Sequence, residues 1–290
     1  MKNYIITTDT TADLPDEYLQ ENGIGLMSLT YTIDGETYDH DHALDVKVFY
    51  EKMRGGSMPT TSQVNPTQAK EIFASMLDKY DADILHIAFS SGLSGSYNSV
   101  RIAAEELMEE RPEHKIVVVD SLCASLGEGL LVHKAVQLQK NGTSLEDSAK
   151  WLEENKLHLC HIFTVDDLFH LYRGGRVSKT TAVLGSMISI KPVLHVDDEG
   201  HLTPMSKVRG RKKSILSMVD EMEKRLADYD GKNDIFFISH GDCLEDANFL
   251  ADKIKEKFHI EQVLINNVGP TIGAHSGPGT LALFFMGTKR

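Results

Sequence analysis

The sequence predicts an α/β protein of two domains. These are an N-terminal parallel-sheet α/β/α domain over residues 1–155 and a C-terminal α+β domain with a mixed sheet over residues 156–290. Strand and helix patterns alternate in the first half, which is typical of a parallel sheet covered by helices. Hairpin turns interrupt the second half, which indicates mixed strand order. A length of 290 residues with 41% apolar composition is enough for substantial cores.

The first half opens with a strand and then a helix. Residues 4–8 are predicted to form a short strand, and Asp13 followed by Pro15 marks a helix start in which the aspartate is the predicted cap. The remaining elements predicted in this half are a strand at 25–33, a hairpin turn at Asp34-Gly35 with a pairing segment at 36–38, a helix from Asn65-Pro66, a strand at 83–89, a helix carrying Val100 to Leu107, and a strand at 116–119.

The second half combines hairpins and helices. The predicted elements are a strand at 158–163, a helix at 165–172, an apolar helix near 180–188, a hairpin at 193–208, an amphipathic helix to about 227, a strand at 235–239, a helix at 244–258, a strand at 262–266 and a closing strand at 281–286. No low-complexity linker separates the halves, so the two domains should share a close interface.

Charge and cysteine usage narrow the function classes. The chain has 30 basic and 43 acidic residues, a net charge of −13, which disfavours nucleic acid as a main ligand. Cys123, Cys160 and Cys243 lack C-x-x-C spacing, so neither a disulfide framework nor a thiolate metal site is expected. The N-terminus lacks a signal-peptide pattern, and every apolar run falls far short of the roughly 20 residues that span a bilayer. We therefore expect a cytoplasmic protein without an integral membrane segment.

Four polar segments each contain glycine or proline and lie between a predicted strand or connection and the helix or turn that follows it. They are Pro59-Thr60-Thr61-Ser62-Gln63, Ser90-Ser91-Gly92-Leu93-Ser94-Gly95-Ser96, Arg173-Gly174-Gly175-Arg176-Val177-Ser178 and the segment from Gly269 to Gly279. Hydroxyls, free N–H groups at helix starts, arginines and a histidine are groups that hold a small anion. No equally convincing nucleophile and base accompany them, and a Walker lysine is absent, so the pattern favours binding over catalysis.

The first three segments also have ordinary structural interpretations. Ser94 or Ser96 can simply cap a helix. The hydroxyls at 60–62, taken alone, are typical of a solvated loop. The glycines at 174–175 can end a helix, while the two arginines beside them can hold a carboxylate or phosphate, or can structure the domain interface. The segments therefore indicate an anion-binding site only when they are considered together.

His275 is the histidine of the fourth segment. Gly273 and the Gly277-Pro278-Gly279 run make this segment too rich in glycine and proline for a helix, so we predict a tight loop. Glycines let a backbone approach a ligand, and a histidine can donate to an anion or become charged near neutral pH. A lone histidine is nevertheless more often structural. The run Asp39-His40-Asp41-His42 lacks a third placed ligand and is more typical of an exposed loop, so no metal site is predicted.

A basic cluster begins the predicted amphipathic helix of the second half. Its members are Arg209, Arg211, Lys212 and Lys213. A charge run is usually a solvated face, but on a chain this acidic it also suits the docking of an acidic or nucleotide-bearing partner.

These segments together resemble the DegV family, and specifically the bacterial fatty-acid-binding proteins that serve as acyl-carrying subunits of fatty acid kinase. The matching pieces occur in family order over essentially the whole chain. They are Asp9-Thr10-Thr11-Ala12-Asp13-Leu14, Pro59 to Gln63, Ser90 to Tyr97, Arg173-Gly174-Gly175-Arg176, Lys191-Pro192 and Gly269 to Gly279. Ser96 stands where many relatives have threonine, which keeps the hydroxyl.

The resemblance implies a long-chain fatty acid in a buried tunnel with its carboxylate at a polar mouth. The residues implied to contact the carboxylate are Thr61 and Ser94 through hydroxyls, Gly95 through its backbone N–H and His275, with Ser62, Arg173 and Thr271 as further head-group contacts. Side chains that could line the tunnel, or equally be ordinary core, are Met187, Ile188, Ile190, Phe284 and Phe285.

The resemblance also implies a carrier rather than an enzyme. In that family a separate kinase uses ATP and magnesium to convert the bound acid into an acyl phosphate, which feeds phospholipid synthesis. We therefore expect no cofactor and no catalytic residue in this chain, with Arg209 as the hypothesis for kinase docking because it heads the basic cluster. Two alternatives stay open: a small-anion or phosphoester-processing enzyme that uses His275, and a regulatory interaction module.

Overall fold

The computed structural model describes residues 4–179, 190–229, 231 and 233–290. The strands in chain order are β1 (Tyr4–Asp9), β2 (Gly25–Met27), β3 (Thr30–Ile33), β4 (Glu36–Tyr38), β5 (Thr60–Ser62), β6 (Asp83–Ala88), β7 (Ile116–Asp120), β8 (Leu159–Thr164), β9 (Ile190–Val196), β10 (Leu202–Arg209), β11 (Ile235–His240), β12 (Gln262–Asn267) and β13 (Leu281–Met286). The apolar helix predicted near 180–188, with Met187 and Ile188, lies outside the described residues.

Helices connect most of these strands. In chain order they are α1 (Asp16–Glu21), α2 (Val46–Arg54), α3 (Pro66–Tyr80), α4 (Ser96–Glu110), α5 (Leu126–Lys140), α6 (Leu145–Asn155), α7 (Phe169–Arg173), α8 (Arg211–Leu226), α9 (Leu244–Phe258) and α10 (Pro270–Ser276). Helix α3 begins as predicted, because Asn65 and Gln68 form a reciprocal capping box and Pro66 occupies the first turn.

The strands form three sheets, and their arrangement confirms the predicted α/β class. Strands β2-β1-β6-β7 make a parallel sheet, and strands β10-β9-β8-β13-β11-β12 make a mixed sheet in which β11 and β12 alone run parallel. Strands β4-β3-β5 make a small antiparallel sheet. The predicted boundary at 155/156 falls between α6 and β8, and as a domain boundary it stays a prediction.

Helix α5 lies between the two large sheets. It packs against β1 and β6 on one side and against β8, β11 and β13 on the other. Because its residues are buried on nearly every side, it carries no amphipathic stripe, and the sequence gives no helical periodicity there. One hydrophobic cluster consequently contains residues of both halves, among them Leu85, Leu130 and Phe284.

Two predictions in the first half were wrong in detail. The strand expected at 25–33 is two strands in different sheets, because the chain turns at Leu29, whose backbone N–H donates to the Thr10 hydroxyl at 3.1 Å. Asp13 does not cap α1; Pro15 holds the cap position, while Asp13 is buried with a left-handed φ of 51°. Its carboxylate instead accepts hydrogen bonds from Ser125 and Gly269.

The segment around His275 is a helix and not the predicted loop. Gly269 holds the cap position of α10, Pro270 occupies the first turn, and Gly277, with a φ of +79°, ends the helix. Apart from Gly273 inside the helix, the glycines and prolines therefore lie at the two ends, where they favour a short helix instead of breaking one. Helix α10 packs against α2, β3 and β5, so a segment of the second half lies on the first.

Candidate ligand cavity and its polar mouth

A largely apolar cavity of about 90 Å³ lies between the mixed sheet, the start of α5 and helix α10. Its lining residues are Phe89, Leu93, Ser94, Ala124, Ser125, His161, Phe163, Leu171, Arg176, Val196, Leu202, Ser239, Val268, Thr271, Ile272, His275, Ser276, Thr280, Ala282 and Phe284. Of the possible lining residues named from the sequence, Phe284 borders the cavity, whereas Phe285 packs in the cluster on the opposite face of the sheet.

The cavity opens onto a polar groove. The groove is lined by Thr61, Ser62, Gln63, Ser91, Gly92, Leu93, Ser94, Gly95 and Arg176. Leu93, Ser94 and Arg176 border both spaces. We call this junction, together with Thr61 and His275, the mouth. A molecule that enters there would have an apolar part inside and a polar part among hydroxyls.

The serine–glycine loop holds its shape by local hydrogen bonds. The backbone N–H of Ser94 donates to the Ser90 carbonyl, and the N–H of Ser96 donates to the Ser94 hydroxyl, both at 3.1 Å. Gly95 comes directly before α4, where the first N–H groups have no intrahelical partner. A Cβ at Gly95 would lie 2.4 Å from the Gln63 side-chain oxygen, so a larger residue there would require the Gln63 side chain to move.

Thr61 and His275 meet across the mouth. The Thr61 hydroxyl lies 2.8 Å from the His275 Nε2 atom. Strand β5, in which Thr61 pairs with Tyr31 of β3, sets the position of the threonine, and the last turn of α10 sets that of the histidine. The predicted solvated loop at 60–62 is therefore a short strand that forms one side of the mouth.

His275 is neutral near physiological pH. Burial, together with the smaller effects of the Arg176 and Arg173 charges, lowers its pKa to about 4. Within the described part of the chain, its Nδ1 atom has no hydrogen-bond partner. Without a ligand, His275 is thus a neutral donor or acceptor beside two cations, and a bound anion would offset the effect of those two charges on its pKa.

The two arginines of the Arg-Gly-Gly-Arg turn have different positions. Arg173 donates to the carbonyls of Pro59 at 3.1 Å and Ala274 at 3.0 Å, so it ties the segment before β5 to α10. Arg176 borders the cavity and the groove, and its Nε and Nη2 atoms donate to the Leu93 carbonyl at 3.2 and 3.0 Å. Arg176 is therefore the arginine at the mouth, whereas the resemblance implies Arg173.

The other predicted site residues divide between the mouth and more distant positions. Ser62 borders the groove and Thr271 borders the cavity. Arg209 lies exposed at the end of β10, outside both spaces. Among the residues that the structure describes, no cluster of histidine, cysteine and carboxylate side chains is suited to a metal ion, and no helix is long and apolar enough to cross a membrane.

The cavity has a polar wall that sequence reasoning missed. The Ser125 hydroxyl donates to the Asp13 carboxylate at 2.5 Å and lies 2.9 Å from the Ser239 hydroxyl. Asp13 also accepts from the Gly269 N–H at 3.0 Å. Ser125 has a φ of 54°, which is rare for a residue other than glycine. No local pattern in the sequence connects these positions, which come from four separate segments.

Replacing Gly174 with alanine is expected to displace His275. The added methyl group would lie 2.2 Å from Nδ1, so the ring must shift and the contact with Thr61 must break. Such overpacking costs about 1 to 3 kcal/mol of the free energy of unfolding. As the ring leaves its buried position, the pKa of His275 should rise from about 4 toward its ordinary value of 6.5, which an NMR titration measures.

The control for this variant is Gly55→Ala. Gly55 has a negative φ, and its nearest neighbour would lie 3.2 Å from the new methyl, so a small effect is expected. An unchanged His275 titration in Gly174→Ala would contradict the packing argument.

Comparisons with known proteins identify the family of this chain. A family model described as an uncharacterised protein of the DegV family matches residues 3–288. A DegV domain-containing protein of Clostridium perfringens is 47% identical over 292 residues, which cover 100% of this chain and 99% of the relative. This chain therefore belongs to the DegV family.

Solved structures of the family share the fold. A DegV family protein of Thermus thermophilus, described by its fatty acid binding, superposes with a TM-score of 0.87 at 28% identity and covers 99% of this chain and 100% of that one. DegV of Bacillus subtilis, described as a fatty acid binding protein, superposes with a TM-score of 0.85 at 30% identity and the same coverage.

Proposed function

We propose that this protein binds a long-chain fatty acid in the apolar cavity and holds the carboxylate at the mouth. The observation that carries the proposal is the opening of an apolar cavity, at Ser94 and Arg176, onto a groove of hydroxyl groups. An acyl chain gains free energy by leaving water for such a cavity, whereas a carboxylate requires donors. The fatty acid binding described for the Thermus and Bacillus relatives supports the proposal.

The carboxylate would receive several hydrogen bonds. The hydroxyls of Thr61 and Ser94 rotate freely enough to donate, and Gly95 offers an N–H at the start of a 15-residue helix whose dipole favours a negative charge. His275 would complete this head-group network. A bound carboxylate favours the protonated imidazole, so fatty acid binding should raise the lowered pKa of His275.

The remaining predicted head-group residues would contribute less directly. Ser62 borders the outer groove, and Thr271 stands in the first turn of α10 on the cavity wall. Arg173 would act by position, because its guanidinium holds the Ala274 carbonyl beside His275. Arg176 is the cation that faces both spaces, and we add it to the proposed head-group contacts.

A Thr61→Ala, Ser94→Ala double variant is expected to lose bound fatty acid. Each hydrogen bond to a charged group contributes about 1.5 to 3 kcal/mol, so the loss of either lowers affinity about 10-fold or more. Mass spectrometry of the organic extract of denatured protein would show a near-stoichiometric long-chain acid in the wild type and depletion in the variant. Thr37→Ala is the matched control, since Thr37 is exposed and bonds only Thr32 at 2.8 Å. Absence of lipid from the wild type, even after incubation with oleate, would contradict the proposal.

We also propose that the bound acid is presented to a separate ATP-dependent fatty acid kinase, which forms the acyl phosphate. The carboxylate at the mouth would lie beside an open groove, which gives a second protein access to it. The alternative, an enzyme that uses His275 on a small anion or phosphoester, predicts turnover by the purified chain without a kinase. The carrier predicts ligand binding without turnover.

Charge reversal at Arg209 is expected to slow acyl phosphate formation about 10-fold at low salt and to leave fatty acid affinity unchanged. Arg209 is exposed on the edge strand β10, and Lys207, Lys212 and Lys213 are exposed near it. A surface charge of this kind acts mainly on the association rate, and salt screens its effect. The measurement compares Arg209→Glu with Lys150→Glu, an exposed lysine of α6. Loss of both phosphorylation and lipid binding, or of neither, would remove Arg209 from the docking surface.

A further inference from the structure

The polar groove outside the mouth has room for a group larger than a carboxylate. Its volume is about 590 Å³, whereas one water molecule occupies roughly 30 Å³ in the liquid. Three of its lining residues, Ser62, Gln63 and Ser91, have exposed polar side chains. Among the described residues that line it, none is acidic, although the chain has 43 acidic residues. The groove therefore suits a large anionic group.

Arg176 places a positive charge on this groove. Burial lowers the pKa of Arg176, and no carboxylate in the described part of the chain opposes that effect. Its Nε and Nη2 atoms donate to the Leu93 carbonyl, and its Nη1 atom donates to the Gly174 carbonyl. A guanidinium has five N–H donors, so two remain for a ligand. These contacts fix the plane of the guanidinium without neutralising its charge, as forked binding of a phosphate requires.

Two further polar side chains lie on the solvent side of the mouth. A Cβ at Gly95 would lie 2.4 Å from Oε1 and 3.1 Å from Nε2 of Gln63, so this amide lies against one of the proposed carboxylate donors. Ser91 belongs to the exposed part of the serine–glycine loop. The Asp120 carboxylate accepts the backbone N–H of Ser91 at 3.2 Å and does not line the groove. An amide and a hydroxyl thus border the groove outside the carboxylate contacts.

The proposed phosphoryl transfer determines on which side of the carboxylate a phosphoryl group would lie. A carboxylate oxygen forms a bond to the γ-phosphorus of ATP while the bond from that phosphorus to the ADP oxygen breaks, which gives acyl phosphate and ADP. Because the acyl chain fills the apolar cavity, the new phosphoryl group must lie on the opposite side of the mouth. The space on that side is the groove.

We infer that Arg176, Gln63 and Ser91 form a phosphoryl subsite, separate from the carboxylate contacts, that holds the head group of an acyl phosphate. The inference rests on the proposed function. The acyl carbonyl oxygen keeps the donors of the carboxylate, while the phosphoryl oxygens accept from the guanidinium, the amide and the hydroxyl. A phosphoryl group has three strongly accepting oxygens and up to two negative charges, so it uses donors that a carboxylate leaves free.

The test uses 2-oxoheptadecylphosphonic acid, in which a methylene group replaces the bridging oxygen of hexadecanoyl phosphate and prevents hydrolysis. Affinities of delipidated protein are measured for this phosphonate, for hexadecanoic acid and for 2-heptadecanone, the same chain without the phosphonate. We expect the phosphonate to bind about 10-fold more tightly than the acid and about 100-fold more tightly than the ketone. A phosphorus NMR titration should show that binding lowers the second pKa of the phosphonate, because Arg176 favours the dianion.

Two variants test the subsite directly. A Gln63→Ala, Ser91→Ala double variant should lose about 10-fold in affinity for the phosphonate and keep its affinity for hexadecanoic acid. In Arg176→Gln, both ligands should bind less tightly, the phosphonate by about 10-fold more than the acid, and the lowering of the second pKa should disappear. Gln20→Ala is the matched control, because Gln20 is an exposed residue of α1 that does not line the groove.

The outcomes distinguish the inference from the proposed function. If hexadecanoic acid does not bind, the proposed function fails. If the acid binds but the phosphonate binds no more tightly than the acid, the inference about the groove fails alone. The same holds if the double variant keeps the wild-type preference for the phosphonate. The wild-type series and the phosphorus titration decide the matter even where a variant does not fold.

Discussion

Replacing Arg290 with alanine is expected to lower the free energy of unfolding by about 3 to 5 kcal/mol. Arg290 is 7% exposed, and its guanidinium joins segments from both halves of the chain. Its acceptors are the carbonyls of Leu122 at 2.7 Å, Lys156 at 3.0 Å, Asp197 at 3.1 Å and Ser121 at 3.2 Å, together with the Cys123 sulfur at 3.1 Å. Truncation would leave buried carbonyl groups without their donor.

Denaturant unfolding of three variants distinguishes the contribution of the planar, forked guanidinium geometry from that of the positive charge. Arg290→Lys keeps the charge but lacks the planar fork, so we expect an intermediate loss. Arg101→Ala, an exposed residue of α4 paired with Glu105, should change stability by about 0.5 kcal/mol or less. If Arg290→Ala were no more destabilising than Arg101→Ala, the five contacts would not contribute to stability.

The contacts of Arg290 also bear on the cavity. The segment 121–125 carries two left-handed residues other than glycine, Leu122 at a φ of 52° and Ser125 at 54°, and Ser125 lines the cavity. Such conformations persist where the surroundings hold them. Arg290 binds this segment at three points, so it supports the wall against which a ligand would lie.

Local sequence patterns predicted most of the fold. The buried strand at 83–88, the capped helix from Pro66 and the hairpin β9–β10 each carry a signal that depends only on neighbouring residues. Helix α5 was not predicted. Because it is buried on nearly all sides, its sequence lacks the alternation of apolar and polar faces that indicates a helix. The sequence pattern does not reveal helix α10, because glycine and proline usually break helices; apart from Gly273, they lie at the ends of this one.

The candidate site was predictable in its residue types and less so in its geometry. The hydroxyls of Thr61 and Ser94 and the imidazole of His275 do converge on one opening. The sequence of the Arg-Gly-Gly-Arg turn does not determine which arginine borders the cavity. That depends on how α7 packs on α10.

Replacing Asp13 with asparagine is expected to change stability in a way that depends on pH. Burial raises the pKa of Asp13 to about 7, while the hydrogen bonds from Ser125 and Gly269 oppose the rise. Because this value lies above the ordinary 3.8, the folded state holds an extra proton between about pH 4 and pH 7. The contribution of Asp13 is fully present below pH 4 and is lost as pH rises to about 7, by roughly 4 kcal/mol at 1.36 kcal/mol per pH unit.

Asparagine keeps an acceptor for the Gly269 N–H and does not ionise. We therefore expect Asp13→Asn to be more stable than the wild type by about 2 to 4 kcal/mol at pH 8, and to lose that advantage at pH 4. Urea unfolding at both pH values measures the difference. Burial and the nearby carboxylates of Asp9 and Asp13 raise the pKa of Glu128, so removal of the Asp13 charge should lower that pKa and add to the gain at pH 8.

Asp16→Asn supplies the control, because Asp16 is exposed in the first turn of α1 and should show no gain at pH 8. An Asp13→Asn variant that is equally destabilised at both pH values would mean that the carboxylate is ionised and well solvated by its donors. In the expected case, ionisation of Asp13 lowers the stability of the folded protein. The carboxylate that ionises is the one bonded to Ser125, which lines the cavity.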